Sequence, residues 1–147
     1  MCIRDRDIWT VKYVRGGLVD IEFIAQYLQL LHARAHPEAL SPNTAAALRG
    51  LAAAGVFDTS AAAELVDALN LWQRVQAFLR LAVDGSFRYD DSSEALRLGL
   101  VRAAFPDADP PIDPAVLEQR LRESAAAAYR HFQSIVETPA AALPPAD

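Results

Sequence analysis

The sequence predicts an all-α fold, a helical bundle of about five helices with a short extended N-terminal segment. Three observations support this fold class. From Leu18 onward, apolar residues recur at intervals of three and four, the spacing that places them on one face of a helix. Capping residues, glycines and prolines separate these stretches. A chain of 147 residues with 52% hydrophobic content is also large enough to bury a core of its own.

The two ends of the chain differ in character from its centre. Residues 8–14 are rich in β-branched and aromatic side chains and predict the extended segment. Residues 1–7 show no periodicity, so we expect a disordered or non-native start. Residues 138–147, rich in alanine and proline, predict a disordered tail. The helical bundle domain is therefore expected over residues 8–137.

The first helix is predicted over residues 18–34 and is apolar on two sides. Its main apolar face consists of Ile21, Ile24, Ala25, Leu28 and Leu31. A second apolar stripe, on the opposite side, consists of Val19, Phe23 and Leu30. Since a helix of this kind needs partners on both sides, the second stripe indicates packing against something other than the bundle.

The next two helices are marked by caps and by a heptad-like seam. Asn43 is the expected N-cap of helix two, and Gly55 is its expected stop. Helix three is predicted over residues 60–83, and its seam consists of Leu65, Leu69, Trp72, Gln76, Leu79 and Val83. Arg74 and Arg80 lie off this seam, so we expect them to be solvated.

Helices four and five follow a polar loop at residues 84–93. Helix four is predicted over residues 93–105, and Asp113 and Pro114 are the expected N-cap and first residue of helix five. The seam of helix five consists of Leu117, Leu121, Ala125, Ala128, Phe132 and Ile135. An ion pair between Glu118 and Arg122 is expected on its outer side.

Charge and composition exclude several classes of function. The net charge of −5 and the absence of a basic stripe beyond the first sixteen residues argue against nucleic-acid binding. Apolar stretches are too short to span a membrane, and the single cysteine, Cys2, predicts a reducing cytoplasmic location. His32, His36 and His131 lack the spacing of metal ligands, so no metal site is expected.

The junction before helix one is the candidate functional segment. Gly16 and Gly17 allow backbone amides to approach a phosphate at a helix N-terminus, and Lys12, the only lysine, and Arg15 add positive charge just upstream. A simpler interpretation is equally open: the glycines form the turn into the helix, and Asp20 interacts with the helix dipole. The segment contains neither GxGxxG nor GxxxxGK[ST].

No catalytic constellation is present in this sequence. It contains no GxSxG or HExxH motif and no cysteine with a histidine partner. Asp20 is the one suitable candidate metal ligand, and Glu22 points about 160° away from it on the helical wheel. We therefore assign no catalytic residue, and metal-dependent chemistry would require ligands from outside this chain.

The run from Lys12 to Gln29, with GGLVDIEF at its centre, resembles the bifunctional glutamine synthetase adenylyltransferase/adenylyl-removing enzymes of bacteria. The resemblance extends over about residues 8 to 137, with the motif concentrated in 12–29. It implies two nucleotidyltransferase halves, each an α/β catalytic core followed by a helical bundle, with the glycine motif where core passes into bundle. The implied activity is transfer of AMP from ATP, with magnesium, to a tyrosine of glutamine synthetase.

The resemblance also implies roles for particular residues. Those expected to line or brace the nucleotide site are Lys12, Arg15, Gly16, Gly17, Asp20 and Glu22. The paired aspartates of the family lie in the preceding core and have no counterpart here, so this chain alone is predicted to be inactive. Val19, where the deadenylylating half more often has arginine, favours the C-terminal, adenylylating half. The implied partners are glutamine synthetase, the upstream nucleotidyltransferase core and a PII-type regulatory protein.

Two other interpretations remain open from the sequence. The chain could be a non-catalytic helical interaction module, with Trp72, Phe78 and Tyr129 as candidate anchors. It could also be the bundle of a related PII uridylyltransferase, whose bundle begins with a similar GGLxDI run. The Glu22-Phe23 pair favours the adenylyltransferase.

Overall fold

The structure is a computed structural model that describes residues 8–141, apart from the side chains of Lys12, Ala140 and Ala141. Its five longer helices are α1 (Leu18–His32), α2 (Thr44–Ala53), α3 (Thr59–Ala82), α4 (Glu94–Ala104) and α5 (Pro114–Phe132). A π-helical turn, Gln133–Glu137, prolongs α5 and leads into the short α6, Thr138–Ala141. No strand occurs between residues 8 and 141, so the predicted all-α bundle is confirmed.

The predicted ends of the domain lie partly outside residues 8–141, the part of the chain that the structure describes. The predicted disordered start, residues 1–7, lies outside the described part of the chain. Of the predicted tail, residues 138–141 form α6, and residues 142–147 again lie outside the described part. The division into start, bundle and tail therefore stays a prediction.

The N-terminal segment is not extended, and that part of the prediction was wrong. Val11–Tyr13 form a 3-10 turn, in which the Tyr13 amide donates to the Thr10 carbonyl at 2.9 Å. The β-branched and aromatic side chains instead join the core, where Ile8 and Trp9 are buried.

Helix α1 buries one of its two apolar sides. Ile21 and Ile24 are fully buried, as expected. Leu31, which we placed on the same face, is 59% exposed because it lies in the last turn, at the edge of the covered face. The second stripe is only partly covered: Phe23 packs on Phe132 at 5.9 Å between ring centroids, and Val19, Phe23 and Leu30 are 42%, 46% and 82% exposed. Helix α1 also ends at His32, two residues earlier than predicted.

Local caps set the starts of α2 and α3. The Asn43 side chain accepts a hydrogen bond from the Ala46 amide, as its sequence position predicts. Helix α3 begins slightly earlier than expected, because Asp58 accepts from the Ala61 amide and acts as its N-cap. The predicted seam is buried over its first half, from Leu65 to Trp72, and only partly buried from Gln76 to Val83. Trp72 is inaccessible to solvent. Trp72 is therefore a core residue, and its role as an interaction anchor is excluded.

Arg74 is not solvated, contrary to the prediction. Its Nε and Nη2 atoms donate to the Ala104 carbonyl at 3.2 and 3.0 Å. The last carbonyls of a helix have no intrahelical partner, and a charged donor satisfies one of them well. Arg74 thus links α3 to the C-terminal end of α4.

Helix α5 begins at its predicted cap, whereas α4, Glu94–Ala104, begins one residue later than expected, with Ser93 as its N-cap. Ser93 accepts from the Leu96 amide, and Asp113 accepts from the Ala115 amide one residue after Pro114. The predicted seam of α5 is buried from Leu117 to Phe132. The expected surface ion pair between Glu118 and Arg122 is present at 3.7 Å.

Tyr89 fastens the loop between α3 and α4 to the start of α5. Its hydroxyl donates to the Pro114 carbonyl at 2.6 Å, and its ring stacks on Trp9 at 4.8 Å between centroids. Burial raises the pKa of Tyr89 above the usual tyrosine value of about 10. The unfolded chain therefore loses this proton at lower pH than the folded chain does, and alkaline pH favours unfolding.

We expect stability contributed by Tyr89 to be complete below about pH 10 and to decline as the pH rises above it. A Tyr89→Phe variant cannot ionise there, so its melting temperature should fall less steeply in alkaline buffer, although it starts lower because a hydrogen bond is lost. Melting curves of the protein, of this variant and of a Tyr27→Phe control would measure the slopes. Parallel slopes for all three proteins would contradict the prediction.

Candidate functional site

The glycine corner, Arg15 to Asp20, turns the chain into α1 against the side of α5. Gly16 has φ = +80°, and a Cβ atom there would lie 1.9 Å from the Ala125 carbonyl oxygen. A Cβ atom on Gly17 would lie 2.8 Å from the Val14 carbonyl oxygen. Both positions therefore require glycine for steric reasons, and both are buried. The corner is closed by α5 and is not an open cradle.

Asp20 lies inside the glycine corner and accepts a hydrogen bond from its backbone. It is the only buried charged residue among those described, at 7% exposure. Its Oδ2 accepts a hydrogen bond of 2.7 Å from the Gly16 amide. A carboxylate in the first turn that reaches back to a preceding amide is the arrangement of a capping box, shifted here by one residue. The Gly16 amide is thus already occupied and does not point at a ligand.

Arg15 connects this corner to the end of α5. Its Nη1 lies 3.6 Å from the Asp20 carboxylate, and its Nη2 donates to Glu137 Oε1 at 2.7 Å. The same Nη2 donates to the Tyr129 hydroxyl at 2.8 Å, and that hydroxyl donates to Glu137 Oε1 at 2.9 Å. The guanidinium also lies over the rings of Tyr129 and Phe132, at 4.5 and 5.2 Å from their centroids.

The charges in this cluster do not favour an anionic ligand on Arg15. Burial alone would lower the pKa of Arg15, but the hydrogen bond to Tyr129 and the two nearby carboxylates outweigh it and raise the pKa. The side chain is therefore always a cation, and two carboxylates already compensate its charge. The arrangement can brace the start of α1, and a phosphate on Arg15 would lie beside the Asp20 and Glu137 carboxylates, which would repel it.

The structure brings together four of the six residues singled out in the sequence. Arg15, Gly16, Gly17 and Asp20 form the closed corner. Glu22 is exposed on another side of α1 and makes no contact with them. The backbone of Lys12 lies in the 3-10 turn, and its side chain is outside the described part of the structure.

Sequence reasoning missed the α5 side of this cluster. The sequence indicated Tyr129 only as an interaction anchor and gave no signal for Glu137. The two residues lie 114 and 122 positions from Arg15, so no local motif relates them to it. Glu137 reaches Arg15 because α5 continues into a π-helical turn, which the sequence does not signal.

Metal-binding clusters and membrane-spanning helices are both absent from the described residues. Over residues 8–141, no three His, Cys, Asp or Glu side chains come together in a way that could hold a metal ion. Within the same range, no helix has the length and apolar character required to cross a membrane.

Comparisons with known proteins agree with one another. A family model described as GlnD PII-uridylyltransferase matches residues 9–87. A protein of Rhodopseudomonas palustris (strain BisB5) named bifunctional glutamine synthetase adenylyltransferase/adenylyl-removing enzyme is 41% identical over 88% of this chain and 13% of its own length. Proteins of the same name from Xanthobacter autotrophicus and Bradyrhizobium sp. are 40% and 38% identical over 91% and 90% of this chain.

The matches cover most of this chain but only a small part of each relative. The chain spans only 13% of the length of these three relatives, so they correspond to it in one segment. No solved structure matches the chain. The family model covers more than half of the sequence, including the glycine corner and α1 to α3. This chain therefore belongs to the GlnD PII-uridylyltransferase family, and over most of its length it is similar to the bifunctional glutamine synthetase adenylyltransferase/adenylyl-removing enzymes.

Proposed function

We propose that this chain is the helical bundle of an enzyme that transfers AMP from ATP to a tyrosine of glutamine synthetase, and that it braces the active site of that enzyme. The observation that carries the proposal is the identity of 35–41%, over 80–91% of the chain, to eight proteins that all bear the adenylyltransferase name. Those names also favour the adenylyltransferase over the PII uridylyltransferase for which the matching family model is named.

The proposed reaction is a nucleotidyl transfer. The tyrosine oxygen attacks the α-phosphorus of ATP, the bond between the α- and β-phosphates breaks, pyrophosphate leaves, and the tyrosine proton passes to a base. Magnesium bound with ATP would neutralise part of the negative charge of the triphosphate. The described residues of this chain offer no suitable cluster of ligands for that ion. We therefore assign its ligands to an upstream nucleotidyltransferase core, and no residue here is given a catalytic role.

The role proposed for the glycine corner is to fix the start of α1 relative to that core. The hydrogen bond from Gly16 to Asp20 and the contacts of Arg15 with α5 support a brace better than a phosphate cradle. Glu22 is proposed to face the nucleotide side, since it is exposed and takes no part in the brace. Lys12 is proposed to belong to the nucleotide site on the resemblance of its sequence motif alone.

The open side of α1 is the proposed contact with the core. Val19, Phe23 and Leu30 form an exposed stripe about 16 Å long, from the rise of 1.5 Å per residue. Single exposed apolar residues are ordinary, but three of them aligned on one side of a helix favour an interface, here with the exposed Gln26 between Phe23 and Leu30. The valine at position 19 favours the adenylylating half, and the single cysteine favours the cytoplasm. A PII-type protein is proposed as a further regulatory partner.

The test is transfer of radioactive AMP. The protein encoded by the complete reading frame is incubated with ATP labelled on its α-phosphate, magnesium and glutamine synthetase, beside a reaction that contains only residues 8–141. We expect label on glutamine synthetase with the complete protein and none with the bundle. If label passes instead from UTP labelled on its α-phosphate to a PII protein, and none passes from ATP to glutamine synthetase, the uridylyltransferase interpretation replaces this one.

The interaction-module interpretation has a different outcome. A module would bind its partner tightly as residues 8–141 alone, would transfer no nucleotide in any form, and would tolerate a Lys12→Ala substitution. An apolar-to-charged substitution in the stripe, Leu30→Glu, would then leave the complete protein unchanged. Under our proposal it weakens packing against the core, since Leu30 is the most exposed member of the stripe.

A further inference from the structure

We propose that Glu137 and Tyr129 are positioning residues of the nucleotide site, which hold Arg15 and thereby fix the glycine corner and the start of α1. The inference deepens the proposed function and rests on it. It gives a role in positioning to the end of α5 and the π-helical turn, where the sequence contains no recognisable motif. The two residues act through Arg15 and are not expected to touch the nucleotide.

The geometry forms a closed triangle of hydrogen bonds. Arg15 donates to both partners, at 2.8 Å to the Tyr129 hydroxyl and 2.7 Å to Glu137 Oε1. The Tyr129 hydroxyl then donates its own hydrogen to the same Glu137 oxygen at 2.9 Å. Each member of the triangle therefore fixes the other two, and charge-assisted bonds of this length are strongly directional. Arg15 is held in one orientation above the Tyr129 ring.

The π-helical turn makes this triangle possible. In a continuous α-helix, a residue eight positions after another lies about 80° further round the axis, so Glu137 would point away from Tyr129. The wider turn at Gln133–Glu137 takes up that excess rotation and brings the carboxylate onto the Tyr129 side. Such single turns inside α-helices are rare and occur frequently at functional sites.

The triangle adds little to the stability of the fold, so its effect on the position of Arg15 can be tested without unfolding the bundle. The Arg15 and Glu137 side chains are 36% and 41% exposed. Ion pairs of this exposure contribute little to stability, because water screens them and side-chain entropy opposes them. Removal of the Glu137 carboxylate should therefore leave the bundle folded while Arg15 loses its fixed orientation.

The experiment measures kcat and KM for ATP in the complete enzyme, together with its melting temperature. We expect Glu137→Ala to lower kcat/KM by about tenfold, mainly through kcat, since a misplaced brace misaligns the site. Glu137→Gln should restore most of the loss, because its amide oxygen still accepts from both Arg15 and Tyr129. Tyr129→Phe should give a smaller loss in the same direction.

The matched control is Glu118→Ala. Glu118 lies near the start of α5, is 45% exposed and forms an ion pair with Arg122 in which no residue of the corner takes part. The inference is overturned if Glu137→Ala and Glu118→Ala change kcat/KM equally, or if Glu137→Gln fails to restore activity. An Arg15→Ala variant distinguishes the proposed role of the glycine corner from the proposed role of Glu137 and Tyr129. If it lowers activity while Glu137→Ala does not, only the inference fails; if it has no effect, the proposed role of the corner fails.

Discussion

Replacement of Gly16 by alanine is expected to lower the free energy of unfolding by more than about 3 kcal/mol. Two effects combine. The backbone at φ = +80° is unfavourable for any residue with a Cβ atom, and that atom would lie 1.9 Å from the Ala125 carbonyl oxygen. Because the clash is with backbone of α5, no side-chain rotation relieves it. The corner would have to separate from α5, and the contacts of Arg15 would be lost with it.

Gly55 provides a close control for this prediction. It has nearly the same backbone angle, φ = +79°, but a Cβ atom there would meet nothing within 4 Å beyond its two neighbours in the chain. Gly55→Ala should therefore show only the conformational penalty, about 1–2 kcal/mol. Urea unfolding of both variants would give the two values. Equal losses would mean that the corner is not packed against α5 as described.

Replacement of Asp20 by alanine is the second large effect, with an expected loss of about 3 kcal/mol. The carboxylate is almost inaccessible, and its removal leaves the buried Gly16 amide without an acceptor. Arg15 also loses one of its two compensating charges. Asp20→Asn should lose about half as much, because the amide oxygen can still accept from Gly16 while the charge is gone.

The control for Asp20 is Asp67→Ala, in the middle of α3, where the aspartate is exposed. A surface change of this kind is expected to stay within about 0.5 kcal/mol of the original protein. Denaturant midpoints for the three variants should fall in the order Asp67→Ala, Asp20→Asn, Asp20→Ala. A loss for Asp20→Ala no larger than that for Asp67→Ala would show that the carboxylate does not support the corner.

The parts of the fold that depend on neighbouring residues could be predicted from the sequence. The N-caps Asn43 and Asp113 and the buried seam of α5 follow from local spacing, and all of them are confirmed. The exposed second side of α1 was likewise visible on the helical wheel. These features involve residues within a few positions of one another, where periodicity and capping rules apply.

The parts that depend on distant residues could not be predicted. Nothing near Arg74 indicates the Ala104 carbonyl, and nothing near Arg15 indicates Glu137. The strand-like composition at residues 8–14 favoured an extended segment, but tertiary burial of Ile8 and Trp9 decided the outcome. The glycine corner was found in the sequence as a motif, whereas its closed geometry depends on α5 and required the structure.

The contact between Arg15 and Glu137 joins two places that are far apart in the chain, the turn before α1 and the π-helical turn after α5. A change in the direction of α1 at the glycine corner would therefore reach the end of α5 directly, without passing through the helices between them.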